Sequence, residues 1–205
     1  HQETDRVPLD LGGTQTGMLV EPYEALKAKL GLSTPTQVSN IVLGLARIEE
    51  AVLQRFEIDF RHVLPGQPDR YHFELFADDS FYDEFGTRWK RPSGGYYYDM
   101  VEFPLAACTL EALEEFNWPD PNDPGRVRGV QDELARLRQE TDFALEAGLV
   151  GLWETAWFLV GLERMLFALN DAPDFVEALL DQTATFLMQM HGAYLDEAGA
   201  YIDLV

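Results

Sequence analysis

Phe143 to Leu169, FALEAGLVGLWETAWFLVGLERMLFAL, is the stretch from which the rest of the chain is best read. A short apolar run, Phe143 to Ala147, passes through a small-residue loop holding Gly148 and Gly151 and continues from about Thr155 into a long apolar segment. The pattern predicts a strand, a glycine turn and a helix. Leu159, Leu162, Leu166 and Leu169 recur at steps of three and four, with Trp157, Phe158 and Met165 widening the apolar surface. Little of such a helix is expected to face water. A strand feeding directly into a packed helix is the unit of α/β architectures, in which ligands meet the chain just past the carboxyl end of the strand. Here that place runs from Gly148 to Glu154.

Towards the N-terminus, Val7 to Leu11 reads as a short strand, followed by a small polar loop, Gly12 to Gly17. The loop is neither a P-loop nor a GxGxxG, so its glycines either make a tight turn or line a site beside Asp10. Pro22 to Leu30 predicts a short helix with Gly31 past its end. From about Thr36, the residues Val38, Ile41, Val42, Leu45, Ile48 and Val52 keep a helical period and predict a longer helix. Phe56 to Val63 reads as a second strand closed by Pro65-Gly66, with Arg61 and His62 on opposite faces near its carboxyl end. His62 is there either as a hydrogen-bonded structural histidine or as a ligand-binding group.

Residues 67–123 lack a long helical period and are dense in aromatics, which predicts a largely β insertion with a turn at Ser93-Gly94-Gly95. Insertions of this length often serve as lids, although packing alone accounts for most such aromatics. Asn117 to Pro124, with three prolines, reads as a linker. Val127, Val130, Leu134 and Leu137 then mark one face of a helix that leads into Phe143. Beyond Leu169, Asp171 to Asp174 opens a further helix with Val176, Leu179, Thr183, Leu187, Met190 and Tyr194 as its buried stripe. His191 flanks that stripe as a structural histidine, Gly199 ends the helix, and Ala200 to Val205 begins another strand.

The composition narrows the function classes. With 46% hydrophobic and 12% aromatic residues among 205, the chain can bury a core as one domain or part of one. Fifteen Lys plus Arg stand against 36 Asp plus Glu, a formal charge of -21. Such a field repels phosphate backbones and anionic lipid and argues against nucleic-acid or membrane-surface binding. The longest apolar region is interrupted by Glu154 and by Glu163-Arg164, short of the roughly 18 residues a spanning helix needs. Cys108 is the one cysteine, so neither a disulfide framework nor a cysteine metal cluster exists, which fits a reducing cytoplasm. The first residue is His1 rather than Met, and the expectation is that the native start lies upstream.

In Trp153-Glu154-Thr155-Ala156-Trp157-Phe158-Leu159, Gly161-Leu162-Glu163 and Asp171-Ala172-Pro173-Asp174-Phe175-Val176, the chain resembles the third barrel unit of the uroporphyrinogen decarboxylase superfamily. Arg6-Val7-Pro8-Leu9-Asp10 resembles that family's first strand, and Tyr201-Ile202-Asp203-Leu204-Val205 its fourth. Gly95-Tyr96-Tyr97-Tyr98-Asp99-Met100 and Trp118-Pro119-Asp120-Pro121 resemble its insertion, so the likeness spans essentially the whole chain. The resemblance implies an α/β fold, a TIM (β/α)8 barrel of which only about the first four β/α units are present, residues 1–205, with the aromatic insertion at about 67–123 after strand 2. A complete barrel takes about 250 residues. A half-barrel has unpaired edge strands, which favours a homodimer or the missing half.

The same resemblance implies one of two activities. The family's true decarboxylases hold substrate carboxylates with arginines after the first strand and use an aspartate after the second. The matching segments here, Gly12 to Gly17 and Leu64-Pro65-Gly66, contain neither. A polyanionic substrate left without fixed cations would cost several kcal/mol per carboxylate, so a tetrapyrrole substrate would depend on other cations such as Arg61 or Arg88. The methyltransferase branch fits better. It implies a zinc ion that activates a substrate heteroatom, while a corrinoid protein or a thiol exchanges the methyl group of a small molecule. The family's His and Cys zinc ligands come from the later half of the barrel, and no metal ligand is assigned in this chain. A non-catalytic binding module is the reading from another class.

The candidate residues follow from strand ends and helix starts. Glu154, beside Trp153 at a helix start, gains from the helix dipole and leads the catalytic candidates. Asp203, near the end of the fourth strand, is the second. Asp10, Gly13, Thr14, His62, Tyr97 and Trp153 are the substrate-binding candidates.

Overall fold

Gly161, at φ +94°, cuts the predicted long helix in two. A side chain is strained at that dihedral, and an added Cβ would also meet the Phe103 ring at 3.0 Å. The apolar stretch therefore folds as α5 (Leu152–Val160) and α6 (Leu162–Asp171), which pack on each other and on α7 (Pro173–Ala198). The turn at Gly161 rotates the Leu stripe. Leu159 is buried, but Leu162, Leu166, Phe167 and Leu169 stand exposed, and Met165 and Ala168 carry the buried face of α6.

The computed structural model describes residues 6–205, and the sequence reading of His1 to Asp5 lies outside it. In chain order the remaining elements are α1 (Val20–Leu30), β1 (Val38–Asn40), β2 (Leu45–Ala46), α2 (Glu50–Arg55), β3 (Phe60–His62), β4 (Ser80–Tyr82), β5 (Arg88–Lys90), β6 (Asp99–Glu102), α3 (Leu110–Glu114), α4 (Val130–Glu140) and β7 (Ala144–Glu146). The strands form three separate sheets: antiparallel β1-β2, parallel β3-β7 and antiparallel β4-β5-β6.

This arrangement overturns the barrel expectation, because four successive β/α units in one parallel sheet are not formed. Residues 7–11 make no strand: Pro8 lacks an amide hydrogen, and the Leu9 amide donates to the Asp59 carboxylate at 2.7 Å instead of to a ladder carbonyl. The helix predicted from Thr36 is replaced by the β1-β2 hairpin and the short α2. Asn40 accepts from the Leu43 amide in the turn between the strands, and short apolar runs rich in β-branched residues satisfy either period. Ala200 to Val205 contributes only a single parallel bridge, Glu146 to Leu204. The aromatic segment does form a sheet, β4-β5-β6, with Phe81, Trp89 and Tyr98 as its buried cluster.

The β3-β7 pair is the part that positions the site. Its register sets Phe60 opposite Ala144, Arg61 opposite Leu145 and His62 opposite Glu146. Leu145 is fully buried with Val63, Leu134, Leu137 and Tyr194, a burial worth about 2 kcal/mol for such a side chain. Tyr194 of α7 donates its hydroxyl to the Val63 carbonyl and so ties the end of β3 to the longest helix.

Candidate functional site

Because facing residues of a parallel pair project on one side, the register brings His62 and Glu146 together at the carboxyl ends of β3 and β7. Asp10 reaches the same place from the segment that Asp59 anchors. Its Oδ1 lies 2.7 Å from His62 Nε2, and its Oδ2 accepts from Thr16 Oγ1 at 2.7 Å. Thr16 Oγ1 in turn accepts from the Gly13 amide at 3.1 Å, which curls the loop over the histidine. On the other side of the ring, Nδ1 lies 3.9 Å from Glu146 Oε1. That is too long for a hydrogen bond.

One ligand atom from each of Asp10, His62 and Glu146 falls within 4.8 Å of the other two. The His62 side chain is only 7% exposed, while Asp10 and Glu146 are partly open to solvent, so the trio has a buried nitrogen and a wet rim. Gly13 closes one side: a Cβ there would sit 2.6 Å from His62 Cε1. The loops after β3 and β7 meet where Gly148 approaches Leu64; Leu64 and Val150 on these loops are exposed, as are Leu152 and Trp153 at the start of α5. Apolar side chains next to a polar trio can hold the body of a small molecule while the trio handles its heteroatom.

The opposite face of β3 is closed. Arg61 donates to both oxygens of Glu50 and to the carbonyls of Ile58 and Phe60, and its guanidinium lies 3.6 Å from the centroid of the Phe143 ring. The Arg61 hydrogen bonds hold the Glu50 carboxyl below its ordinary value, against the partial burial that raises it.

Of the residues singled out in the sequence, the structure assembles Asp10, Gly13 and His62. Thr14 is on the same loop but exposed. Glu154 is exposed in the first turn of α5 and makes no ion pair among the described residues. Trp153 is 40% exposed in the first turn of α5, and Tyr97 is an exposed side chain of the β5-β6 connection. Asp203 has a structural task. Burial opposes its ionisation, but the Leu145 amide and Arg138 hold its carboxyl below the usual range, which pins the C-terminal segment to β7. Arg88, the other cation a tetrapyrrole would need, is committed to Asp78 and Glu102. His191 has its Nε2 buried without a partner among the described residues, and burial lowers its pKa.

Glu146 and Thr16 were missed in the sequence. The available signal for Glu146 was a carboxylate closing an otherwise apolar strand just before a glycine loop. Two open grooves on the surface of α7, of about 290 and 340 Å³, share no residue with the trio. Among the described residues no helix is long and apolar enough to cross a membrane.

No protein-family model, curated protein or solved structure matches the chain.

Proposed function

We propose that this chain is a cytoplasmic enzyme of small molecules that transfers a methyl group between a methylated small molecule and a corrinoid protein or thiol. The observation that supports an enzyme is the Asp10-His62-Glu146 trio at the carboxyl ends of β3 and β7; the reaction class is the one implied by the resemblance in the sequence. A corrinoid on a partner protein, where it is the acceptor, supplies the centre that takes the methyl group. The part played by this chain concerns the other end of the bond.

When a methyl group leaves an oxygen or nitrogen, that heteroatom keeps the bonding electron pair and needs a proton or an electrophile to stabilise it. His62 can hold such a proton between two carboxylates. Asp10 fixes the ring through Nε2, and Glu146 stands beside Nδ1 on the open side. Leu64, on the loop after β3, offers exposed apolar surface for the methyl group. A zinc ion is also compatible with the donors present, since the His62 imidazole and the Glu146 carboxylate are groups that zinc accepts, and it would supply Lewis-acid activation of the same heteroatom. A tetrapyrrole decarboxylase is less well supported because Arg61 and Arg88 are both bound to carboxylates.

The test is demethylation of a panel of methoxylated and N-methylated compounds with added reduced corrinoid or thiol, followed by chromatography of the product. Turnover that is lost in His62→Ala is the expected result. Absence of turnover with every donor and both acceptors overturns the reading and leaves a binding module.

A further inference from the structure

We propose that His62 Nδ1 and the Glu146 carboxylate are the protein ligands of a divalent transition-metal ion, and that Asp10 is a positioning residue that orients His62 from behind. The inference takes up the trio described above but does not require methyl transfer.

Three observations carry it. The two ring nitrogens of His62 are in different situations: Nε2 is 2.7 Å from Asp10 Oδ1, whereas Nδ1 makes no hydrogen bond among the described residues and faces Glu146 at 3.9 Å. Neutral imidazole carries one N–H, and the acceptor at Nε2 places it there, which leaves the Nδ1 lone pair directed at the gap. A nitrogen lone pair and a carboxylate oxygen facing each other without a proton between them offer two donors to an electrophile. The gap has a suitable width. Zinc bonds of about 2.1 Å set two donors about 3.4 Å apart at the tetrahedral angle and at most about 4.2 Å apart.

The third observation is that both Asp10 oxygens are engaged, Oδ1 with His62 and Oδ2 with Thr16. That is the arrangement in which a carboxylate grips the far nitrogen of a metal-bound histidine, fixing its tautomer and raising its basicity. With two donors from the strands, coordination positions remain open for water or a substrate heteroatom. An imidazole donor favours zinc and its neighbours over magnesium or calcium, which prefer oxygen throughout.

The experiment is titration of the chelator-treated chain with zinc chloride and with magnesium chloride by calorimetry, with elemental analysis after desalting and cobalt(II) as an absorbing substitute. The expected result is one equivalent of zinc and no magnesium. His62→Ala and the isosteric Glu146→Gln lose the equivalent, while Asp10→Ala keeps the stoichiometry and weakens affinity about 10–100-fold. His191→Ala binds as the parent does. Circular dichroism of each variant reports folding, and Glu146→Gln, which preserves shape, decides the matter if His62→Ala unfolds. No stoichiometric zinc, or zinc retained in Glu146→Gln, overturns the site, and Asp10→Ala losing zinc as completely as His62→Ala overturns its positioning role. Stoichiometric zinc without demethylation upholds this inference and removes the functional reading; demethylation without zinc does the reverse.

Discussion

The two faces of β3 differ by one residue and do opposite things with charge. Arg61 turns inward to a guanidinium site in which every partner is in place: two Glu50 oxygens, two backbone carbonyls and the Phe143 ring. His62 turns to a site that is complete on one side, at Asp10, and open on the other, at Glu146. A closed set of partners stabilises a fold and leaves nothing to bind. An open set costs some stability and retains a lone pair for a ligand. The difference shows that a buried cation at a strand end is no sign of a site until its partners have been counted.

That contrast breaks first if Arg61 proves dispensable. Arg61→Ala removes a side chain that is 6% exposed, strands the Glu50 carboxylate and frees two carbonyls. We expect a loss of about 3 kcal/mol in urea unfolding, at the low end for a broken buried pair because half of the Glu50 side chain stays in water. Zinc stoichiometry should survive wherever the variant is folded. A loss below about 0.5 kcal/mol, the level of an ordinary surface change, would mean that the closed face is not structural.

Gly13→Ala sharpens the other side. The new Cβ meets the edge of the imidazole at 2.6 Å, and neither the ring, held by Asp10, nor the loop, held by Thr16, can yield without giving up a hydrogen bond. Overpacking of this kind costs about 1–2 kcal/mol. Its signature is the pairing of that modest loss with a shift in the His62 ring resonances by NMR; unchanged resonances would show that the loop does not press on the ring.

Part of this could be read in the sequence and part could not, for physical reasons. The α4 and α7 stripes were legible because a 3.6-residue period over many residues has no competing solution: Val176, Leu179, Thr183, Leu187 and Tyr194 are buried as expected, and Met190, the remaining member of the expected stripe, is half-buried. Both strands of the parallel pair were legible as apolar runs before Pro65-Gly66 and before Gly148. The hairpin at 38–46 was not, since a few apolar residues fit a helix as well as two short strands. Nor was the break at Gly161, where the Leu spacing continues in register through a backbone that turns. The parallel-barrel expectation failed because it assumed that every strand-like run pairs with the next. Asp10, Gly13 and His62 stood out as polar or small groups at element ends. Glu146 carried a local signal as the carboxylate closing an apolar strand, but its meeting with His62 depends on the register between β3 and β7, a non-local quantity. Glu154 was favoured for its helix-start position, which supplies the dipole but no partner.

The smallest effect concerns the pH dependence of the closed face. Glu50 has its folded pKa held below 4.5 by the Arg61 hydrogen bonds, so the stability it contributes is fully present above 4.5 and is lost as pH falls through the folded value. Glu50→Gln keeps an acceptor for Arg61 but cannot titrate. At neutral pH it should cost about 1 kcal/mol, discounted for the half-exposed side chain, because Arg61 retains its carbonyls and the Phe143 ring. The gap between parent and variant in urea unfolding should then narrow on acidification below pH 4.5 and close once Glu50 is protonated in the folded state. A gap constant with pH would mean that Arg61 does not hold the Glu50 proton off, and the pair would have to be counted as packing rather than charge. In that case the two faces of β3 would differ in shape alone, and the open face would lose its claim to be the electrostatically distinct one.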